Sequence, residues 1–325
     1  MLVLSRPEVE SVMDLDALVE RVADAMVALS EGNAAMPSRT AVDVPKHDGF
    51  LGIMSAYLPE AHALATKLVA VWPHNRDRPS HQAVIVCFDP GTGTPQVLMD
   101  GTYITAARTA AGSALATKLL AREDSTTVAI LGTGVQARAH AHALVRVRPV
   151  AEVVIAGRDQ NKAQQLADEL GSALAVETRA TSWRDAVGAA DIVCACTHSS
   201  EPVVNRNWLR PGAHVNSVGF NPAGRELDAE TVAAARVVVE SRSTLAPPPT
   251  GSNDLFIPMS EGRVPRDHVH AEIGELVNGS AEGRTSKDQI TLYKSVGVAV
   301  QDAAAAALVI EAAAAAGAGT EVDLE

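Results

Sequence analysis

A six-residue segment constrains the fold of this 325-residue chain more than any other. It follows an apolar strand predicted from Thr127 to Leu131 and opens a helix predicted to run to about Val145. It reads Gly132-Thr133-Gly134-Val135-Gln136-Ala137. The form G-x-G-x-x-G/A, between a strand and a helix, is typical of the loop that holds the pyrophosphate of a dinucleotide. The first glycine permits the tight turn, the second permits close backbone approach, and the helix N-terminus attracts negative charge.

Beyond residue 120, short apolar runs alternate with helical patterns. One such helix is predicted from Asn161 to Leu170, closed by Gly171. The predicted strands are Thr127 to Leu131, Val153 to Ala156, Leu174 to Val176, Asp191 to Thr197, His214 to Val218 and Val237 to Glu240. This alternation predicts an α/β fold, a Rossmann-type doubly wound parallel sheet, over residues 121–294.

The two ends of the chain have a different pattern. Ser5 and Glu8 have capping-box spacing, and Asp14 is placed to cap a longer helix that ends near Gly32. Strand-like segments then follow to residue 95, and a helix rich in small residues is predicted from 105 to 120. An alanine-rich helix over residues 295–316 comes after the nucleotide region and is expected to pack back on the N-terminal part. We therefore expect a discontinuous α+β domain made of residues 1–120 and 295–325.

Composition narrows the functional class. A hydrophobic content of 47% excludes intrinsic disorder, and a net charge of −12 with no evident basic patch argues against nucleic-acid binding. The sequence offers no uninterrupted membrane span and no signal peptide, so no membrane association is expected. Three cysteines without zinc-site spacing indicate a reduced, cytoplasmic protein. Cys194 and Cys196 are expected to share one face of a strand, as buried small residues more than as a redox pair.

The cofactor is predicted from the end of the second strand. The chain there reads Ile155-Ala156-Gly157-Arg158-Asp159. An acid at this place normally binds the ribose of NAD, whereas an arginine accommodates the 2′-phosphate of NADP. Because Arg158 precedes the acid, NADP(H) is favoured and NAD(H) remains possible. In the alternative interpretation, Arg158 lies in solvent and Asp159 caps the next helix.

Three cations stand in surroundings of low charge. Lys67 shares a predicted strand face with Val69 and Val71, so it needs a partner or an outlet to water. Arg108 lies among alanines, and Arg39 follows a short turn. Each could be a surface charge, but together with a dinucleotide loop they predict a small anionic substrate.

Seven separated motifs, spanning nearly the whole chain, resemble the ornithine cyclodeaminase/mu-crystallin family. They are Met36-Pro37-Ser38-Arg39, Thr66-Lys67, Arg108-Thr109-Ala110-Ala111, the glycine loop, Asn216-Ser217-Val218-Gly219, Arg225-Glu226-Leu227-Asp228 and Lys294-Ser295-Val296-Gly297. The resemblance implies a homodimer in which a discontinuous substrate-binding and dimerisation domain is joined to a Rossmann domain.

The resemblance also implies roles for individual residues. Arg39 and Arg108 would hold a substrate carboxylate together with Lys67, and Lys67 would be the catalytic acid or base. No metal ligand is implied. The implied cofactor-binding residues are Thr109, Gly132, Thr133, Gly134, Val135, Gln136, Gly157, Arg158, Thr197, Val218 and Ser295.

Three functions are compatible with the sequence. The first is an NAD(P)H-dependent reductase of a small α-imino acid, of the ketimine or pyrroline-2-carboxylate type, or a related amino-acid dehydrogenase. The second is an ornithine or lysine cyclodeaminase that recycles its cofactor, and the third is a non-enzymatic NADPH-binding protein. Phe220 and Lys294 stand where cyclodeaminases carry aspartates, which favours the first. Asp228 is expected to cap a helix from Ala229 to Ala234.

Overall fold

The computed structural model describes residues 1–324 of the chain and divides into two compact units. Unit 1 comprises Met1–Arg108 together with the chain from Val298 onward, and unit 2 comprises Thr109–Gly297. The sequence analysis placed the two breaks at 120/121 and 294/295. In the structure they fall at 108/109 and 297/298, and the first differs most because a single helix, Gly101–Leu120, continues without interruption through residue 108.

The described residues form ten α-helices. In chain order they are α1 Arg6–Val12, α2 Leu15–Ser30, α3 Gly101–Leu120, α4 Val135–Leu144, α5 Gln160–Leu174, α6 Trp183–Ala189, α7 Ala229–Ala234, α8 Asn253–Ser260, α9 Ile273–Val277 and α10 Ala299–Ala316.

Fifteen strands accompany them over the same residues. They are β1 Leu2–Leu4, β2 Thr40–Val44, β3 Gly49–Leu58, β4 Ala63–Val71, β5 His81–Phe88, β6 Pro95–Asp100, β7 Thr127–Leu131, β8 Glu152–Ala156, β9 Glu177–Thr181, β10 Ile192–Ala195, β11 His214–Ser217, β12 Arg236–Val239, β13 Val269–Glu272, β14 Thr291–Lys294 and β15 Thr320–Glu321.

Unit 1 is built on a mixed sheet with the strand order β15-β1-β6-β5-β4-β3-β2. The β1–β6 pair is parallel and the other pairs are antiparallel. Alternate residues of β3, β4 and β5 are buried on one face, against which α10 packs. The capping box at Ser5 and the cap at Asp14 are confirmed, because Ser5 and Glu8 bond reciprocally and Asp14 accepts from two amides at the start of α2.

The C-terminal helix α10 is a core element of unit 1. By length and apolar composition it could cross a membrane, but 61% of that window is buried within the protein. It contacts α2 and the strands β3 and β4, and two of its polar residues, Gln301 and Asp302, are buried. The sequence prediction of a helix that packs back on the N-terminal region is thus confirmed.

Unit 2 is an eight-stranded sheet with the order β13-β12-β14-β11-β10-β7-β8-β9. All of its pairs are parallel. The stretch β9-β8-β7-β10-β11-β14 has the 3-2-1-4-5-6 order of a Rossmann fold, so the predicted fold class is confirmed. The order of strands reverses between β7 and β10, and ligands of such sheets bind beyond the carboxyl ends of the strands at that point.

One predicted strand of this unit, Leu174 to Val176, is wrong. Helix α5 continues through Gly171 to Leu174 and ends at Ala175, which has a left-handed conformation. Gly171 is therefore not a helix stop; a Cβ there would lie 2.5 Å from the side-chain oxygen of Thr178. The glycine allows α5 to approach the true strand, β9, which begins at Glu177.

Candidate functional site

Lys67 lies in the buried face of β4, and its charge is compensated by an acid that is far away in the sequence but in direct contact in the fold. The side chain is 1% exposed, and its Nζ lies 2.8 and 2.9 Å from the two carboxylate oxygens of Asp302 on α10. The strand alternation that placed Lys67 beside Val69 is confirmed. Because an unpaired ammonium would be costly in such a place, Asp302 explains why the lysine is tolerated.

Arg108 binds the same carboxylate from α3. Its Nε donates to Oδ1 of Asp302 at 2.9 Å, and its Nη1 donates to Oε1 of Gln301 at 3.1 Å. Arg108 is 4% exposed. Arg39, directly before β2, is half-buried, and its positive charge lowers the pKa of Lys67. We call Arg39, Lys67, Arg108 and Asp302 the cation cluster.

The cation cluster carries more positive than negative charge. Burial, and next the charge of Arg108, lower the pKa of the Lys67 ammonium from 10.5 to about 8, although Asp302 opposes the shift. Burial acts against ionisation of Asp302, but the two cations hold its pKa below the ordinary value. Two cations that share one carboxylate leave an excess of positive charge that suits a small anion, and the charge of Arg39 also acts on Lys67. A lysine with a pKa of about 8 can also exchange a proton near neutral pH.

His81, at the start of β5, lies close enough to Lys67 and Arg108 for their charges to lower its pKa. Burial, then the charges of Lys67 and Arg108, lower the pKa of the imidazole to about 4. The ring is therefore neutral at pH 7 and can donate or accept one hydrogen bond without adding charge. The sequence alone gives no role to this histidine, because a single histidine at a strand end is compatible with many environments.

In unit 2, the glycine loop has the geometry that a dinucleotide requires. Gly132 has a φ of +119°, and a Cβ there would lie 2.7 Å from the carbonyl oxygen of Cys196. Gly134 directly precedes α4, and a Cβ on it would meet nothing within 4 Å. The loop is thus tight on the sheet side and open at the helix N-terminus, where a pyrophosphate would contact the backbone. The residues present therefore fit a dinucleotide.

Thr133 and Gly157 form the next part of this edge. A Cβ at Gly157 would lie 2.8 Å from Cγ2 of Thr133, so glycine is needed where β8 ends beside the loop. Arg158 is exposed. Asp159 caps α5 by accepting from the amides of Asn161 and Lys162. The alternative interpretation of Asp159 as a helix cap is thus confirmed, and its carboxylate is already engaged.

Among the remaining residues implied for the cofactor, Thr197, Val218 and Ser295 follow the ends of strands, and each has an internal partner. The Thr197 hydroxyl and amide donate to Oε1 of Glu226, both at 2.7 Å. The Ser295 hydroxyl donates to Glu240 at 2.9 Å. The amide of Val218 donates to Ala195 at 3.0 Å. Thr109 follows Arg108 on α3, Val135 is exposed at the start of α4, and the carbonyl of Gln136 is bonded to His140.

Glu226 connects the ends of β10 and β11. Besides Thr197, it accepts from the Ser217 hydroxyl at 3.1 Å and from the Gly219 amide at 2.9 Å. Its neighbour Lys294 lies 2.8 Å from Asp254. Burial raises the pKa of Glu226 in spite of the charge on Lys294. Lys294, which stands where the resemblance implies a cyclodeaminase aspartate, is therefore held in a buried ion pair with Asp254.

Sequence reasoning found the cations of the cluster but not their counter-ion. Asp302 stands in an alanine-rich helix that also carries Glu311, and an acid in such a helix indicates a solvent-facing position. The motif that contains Glu226 does not by itself indicate a role for that residue, whereas Asp228 is confirmed as the cap of α7. A usable signal was that Gln301 and Asp302 are adjacent polar residues in an otherwise apolar first turn.

Comparison with known proteins agrees with this arrangement. The profile of the Ornithine cyclodeaminase/mu-crystallin family matches residues 1–317. The chain is 38% identical over 280 residues to the ketimine reductase mu-crystallin of Mus musculus, which covers 85% of this chain and 84% of that protein.

Two solved structures are similar over the full length. The Delta(1)-pyrroline-2-carboxylate reductase of Thermococcus litoralis, in complex with NADH and L-proline, has a TM-score of 0.96 and 41% identity, covering 99% of this chain and 100% of that one. An archaeal alanine dehydrogenase dimer with bound NAD has a TM-score of 0.93 and 30% identity, covering 100% and 99%.

Proposed function

Because the chain belongs to the Ornithine cyclodeaminase/mu-crystallin family, and because its glycine loop accompanies a buried cation cluster, we propose that it reduces small α-imino acids to amino acids. It is a nicotinamide-dependent oxidoreductase acting on C–N bonds, as its relatives are. The observation that carries the proposal is the buried Lys67, whose pKa is lowered to about 8 beside two arginines.

In the proposed reaction, each cation has a separate task. Arg39 and Arg108 bind the substrate carboxylate, which fixes the orientation of the adjacent C=N bond. Lys67 donates a proton to the imine nitrogen, and Asp302 holds the ammonium in position. A reduced nicotinamide held at the glycine loop would supply the hydride for the imine carbon. The product is an amine with one more hydrogen on carbon and one on nitrogen, and Lys67 is reprotonated from solvent.

The substrate we favour is a cyclic imine next to a carboxylate, of the pyrroline-2-carboxylate type. The support is the relative from Thermococcus litoralis, which is a reductase of that compound and was solved with L-proline. An acyclic imino acid formed from an oxo acid and ammonia has the same reacting group, and the alanine dehydrogenase similarity keeps it as the second choice.

Cyclodeamination is disfavoured by two residues. Phe220 offers no carboxylate, and Lys294 is committed to Asp254, Ser217 and the Gly219 carbonyl. A lyase would need an acid in these places, according to the pattern that the sequence resemblance implies.

The test is a substrate panel followed through the absorbance of reduced nicotinamide. We expect stoichiometric oxidation of NADPH or NADH with pyrroline-2-carboxylate, and less with imino acids formed in situ from pyruvate and ammonia. Ammonia release from ornithine without net change in cofactor would instead establish a cyclodeaminase. Tight cofactor retention with no turnover of any compound would leave a binding protein and contradict the proposal.

We further propose a preference for NADP(H). The exposed Arg158 follows the end of β8, while the carboxylate of Asp159 is engaged by two helix amides. A free guanidinium at this position favours a 2′-phosphate over a ribose hydroxyl. In Arg158→Ala, the KM for NADPH should rise about tenfold while that for NADH stays within twofold. An unchanged NADPH/NADH preference would refute the assignment. Arg184→Ala, a change elsewhere in unit 2, is the control.

We also propose that the protein is a homodimer, and unit 1 supplies the support. The sheet face opposite α10 carries exposed apolar side chains, among them Val42, Leu51 and Val84, which are 59%, 37% and 41% exposed. The strand register aligns Val42 with Leu51 across the sheet. An open apolar sheet face of this kind is typical of an interface. The similar archaeal alanine dehydrogenase is a dimer.

A further inference from the structure

A cluster of one histidine and two cysteines lies in unit 2, whereas the residues of the cation cluster belong to unit 1. His140 on α4, Cys194 on β10 and Cys196 just after it present ligand atoms that all lie within 4.8 Å of one another. His140 and Cys194 are fully buried and Cys196 is half-buried. The two cysteines face the same way, as their spacing on the strand predicted.

The distances suit a tetrahedral metal ion. The two Sγ atoms are 3.6 Å apart. Two thiolates bound to one zinc ion at about 2.3 Å in tetrahedral geometry are separated by roughly 3.7 Å. The sulfur atoms therefore already stand at the spacing of two corners of a zinc coordination sphere, so they need little movement to bind.

The hydrogen bonds of His140 prepare one of its nitrogens for the same role. Nδ1 lies 2.7 Å from the Gln136 carbonyl, which can only accept, so Nδ1 carries the proton and Nε2 presents a lone pair. Most metal-binding histidines are oriented in this way, by a hydrogen bond from the ring nitrogen that does not bind the metal. The Ser113 hydroxyl, 2.9 Å from Nε2, donates to that lone pair and is close enough to become a fourth ligand.

The cluster is connected directly to the dinucleotide loop. The amide of Cys196 donates to Leu131 at 2.8 Å, and its carbonyl oxygen would be 2.7 Å from a Cβ at Gly132. There is no space for Cys196 to move towards Gly132 without moving the loop. His140 belongs to α4, the helix whose N-terminus faces the pyrophosphate side.

We propose that His140, Cys194 and Cys196 form a binding site for a thiophilic cation of the Zn²⁺ type, with Ser113 or water completing the tetrahedron, and that its occupation weakens dinucleotide binding. The two thiol protons are released to the buffer, and the two thiolates neutralise the cation. The effect on the dinucleotide follows because the ion must hold Cys196 and His140, and both are attached to the elements that form the loop.

The site is tested with cobalt, which reports thiolate ligation by its colour. The full-length protein, reduced with a phosphine and freed of metal, is titrated with Co²⁺. We expect one equivalent to give a thiolate-to-cobalt charge-transfer band and the visible bands of tetrahedral cobalt, both abolished by adding Zn²⁺. Absence of the charge-transfer band would overturn the site.

Variants distinguish this cluster from other thiols. Cys196→Ser, at the half-buried position, should lose the charge-transfer intensity of one sulfur and bind at least tenfold more weakly. His140→Gln should weaken binding similarly. Cys87→Ser, which alters the free thiol in unit 1, should leave the spectrum unchanged. If Cys196→Ser retains the full spectrum, the assignment is wrong.

The coupling is measured as NADH affinity by fluorescence, with and without one equivalent of Zn²⁺. We expect the Kd to rise at least about fivefold in the wild type and in Cys87→Ser, and to stay unchanged in Cys196→Ser. An equal effect of Zn²⁺ in all three proteins would contradict coupling through this site. Because the cobalt spectrum needs no turnover, it stands apart from the success or failure of the proposed imine reduction.

Discussion

At the scale of single residues, Asp302 determines what Lys67 can do. A lysine buried alone would lose its proton, and one paired in water would keep it far above neutral pH. Lys67 is buried beside one carboxylate and two arginines, so its pKa falls to about 8. It is thereby charged at neutral pH and still able to give up its proton.

The pH dependence of activity should follow this pKa. As proton donor, Lys67 must be charged, so kcat/KM for imine reduction should be level below pH 7 and fall through about 8. Oxidation of the amino acid needs Lys67 in its neutral form, so the rate of that reaction should rise over the same pH range. Lys67→Met should abolish both while NADPH binding is kept, and the exposed Lys118→Met should behave as wild type. A reduction rate that continues level beyond pH 10 would exclude Lys67 as the donor.

Removal of the Asp302 carboxylate should lower the free energy of unfolding and shift the pH profile of reduction. Asp302→Asn leaves two buried cations facing each other, so the free energy of unfolding should fall by about 3 kcal/mol. Lys67 should also lose its proton more readily, which moves the descending limb of the reduction profile to lower pH. Urea unfolding and the pH profile measure these effects.

The control for this change lies on the same helix. Glu311→Gln removes an exposed partner of Arg21 and should cost less than about 1 kcal/mol without shifting the profile. Equal losses in the two variants would mean that Asp302 has no special role.

These residue roles were only partly accessible from the sequence. Lys67 and Arg108 could be recognised because a charge in an apolar pattern is conspicuous. Asp302 could not be assigned, since its partner is 235 positions away and only the folded chain brings them together. Periodicity describes neighbours within an element, whereas an ion pair between α10 and β4 depends on how elements pack.

At the scale of elements, the two glycines of the loop meet different requirements, one set by the fold and one set by the ligand. Gly132 is needed by the fold, because its φ is +119° and Cys196 leaves no room for a Cβ. We expect Gly134 to be needed by the ligand and not by the fold, because the loop has room for a Cβ there and the backbone is extended.

Alanine at these two positions should therefore give different results. Gly134→Ala should fold with a Tm close to wild type but bind NADPH at least tenfold more weakly, since its methyl group would occupy the space of the pyrophosphate. Gly132→Ala should lower the Tm itself, because a non-glycine residue is strained at this φ. Thermal unfolding and fluorescence titration distinguish them. Unimpaired NADPH binding in Gly134→Ala would place the pyrophosphate elsewhere.

The bounds of helices and strands could be predicted where the apolar pattern of the sequence corresponds to the residues that are buried in the fold. Strand β7 and helix α7 have the predicted bounds, because each is a short segment with a clear apolar run or cap. The strand predicted at 174–176 failed because Leu174 continues the apolar face of α5, formed by Ala163, Leu166 and Leu170. The true strand β9 lies at the sheet edge and contains few apolar residues, so it gave no signal.

At the scale of the whole molecule, the dimer proposal concerns the open face of the unit 1 sheet. Replacing Val84 by Lys places a charge in the middle of that apolar face, and we expect a dimer to dissociate to monomers in sedimentation velocity. Val135→Lys, at an exposed apolar position of unit 2, is the matched control and should not change the mass. A wild-type protein that sediments as a monomer would contradict the proposal.

The discontinuity of unit 1 has a consequence for synthesis on the ribosome. Lys67 and Arg108 emerge early, but the carboxylate that neutralises them belongs to α10, near the end of the chain. All of unit 2 leaves the exit tunnel before α10 does. Until α10 is synthesised, the N-terminal sheet lacks the helix that covers its apolar face, and its cations lack the carboxylate of Asp302. The parallel sheet of unit 2 can already fold during this time. Under the proposed mechanism, activity requires α10, so we expect a translation product truncated before α10 to be inactive even with every glycine of the loop in place.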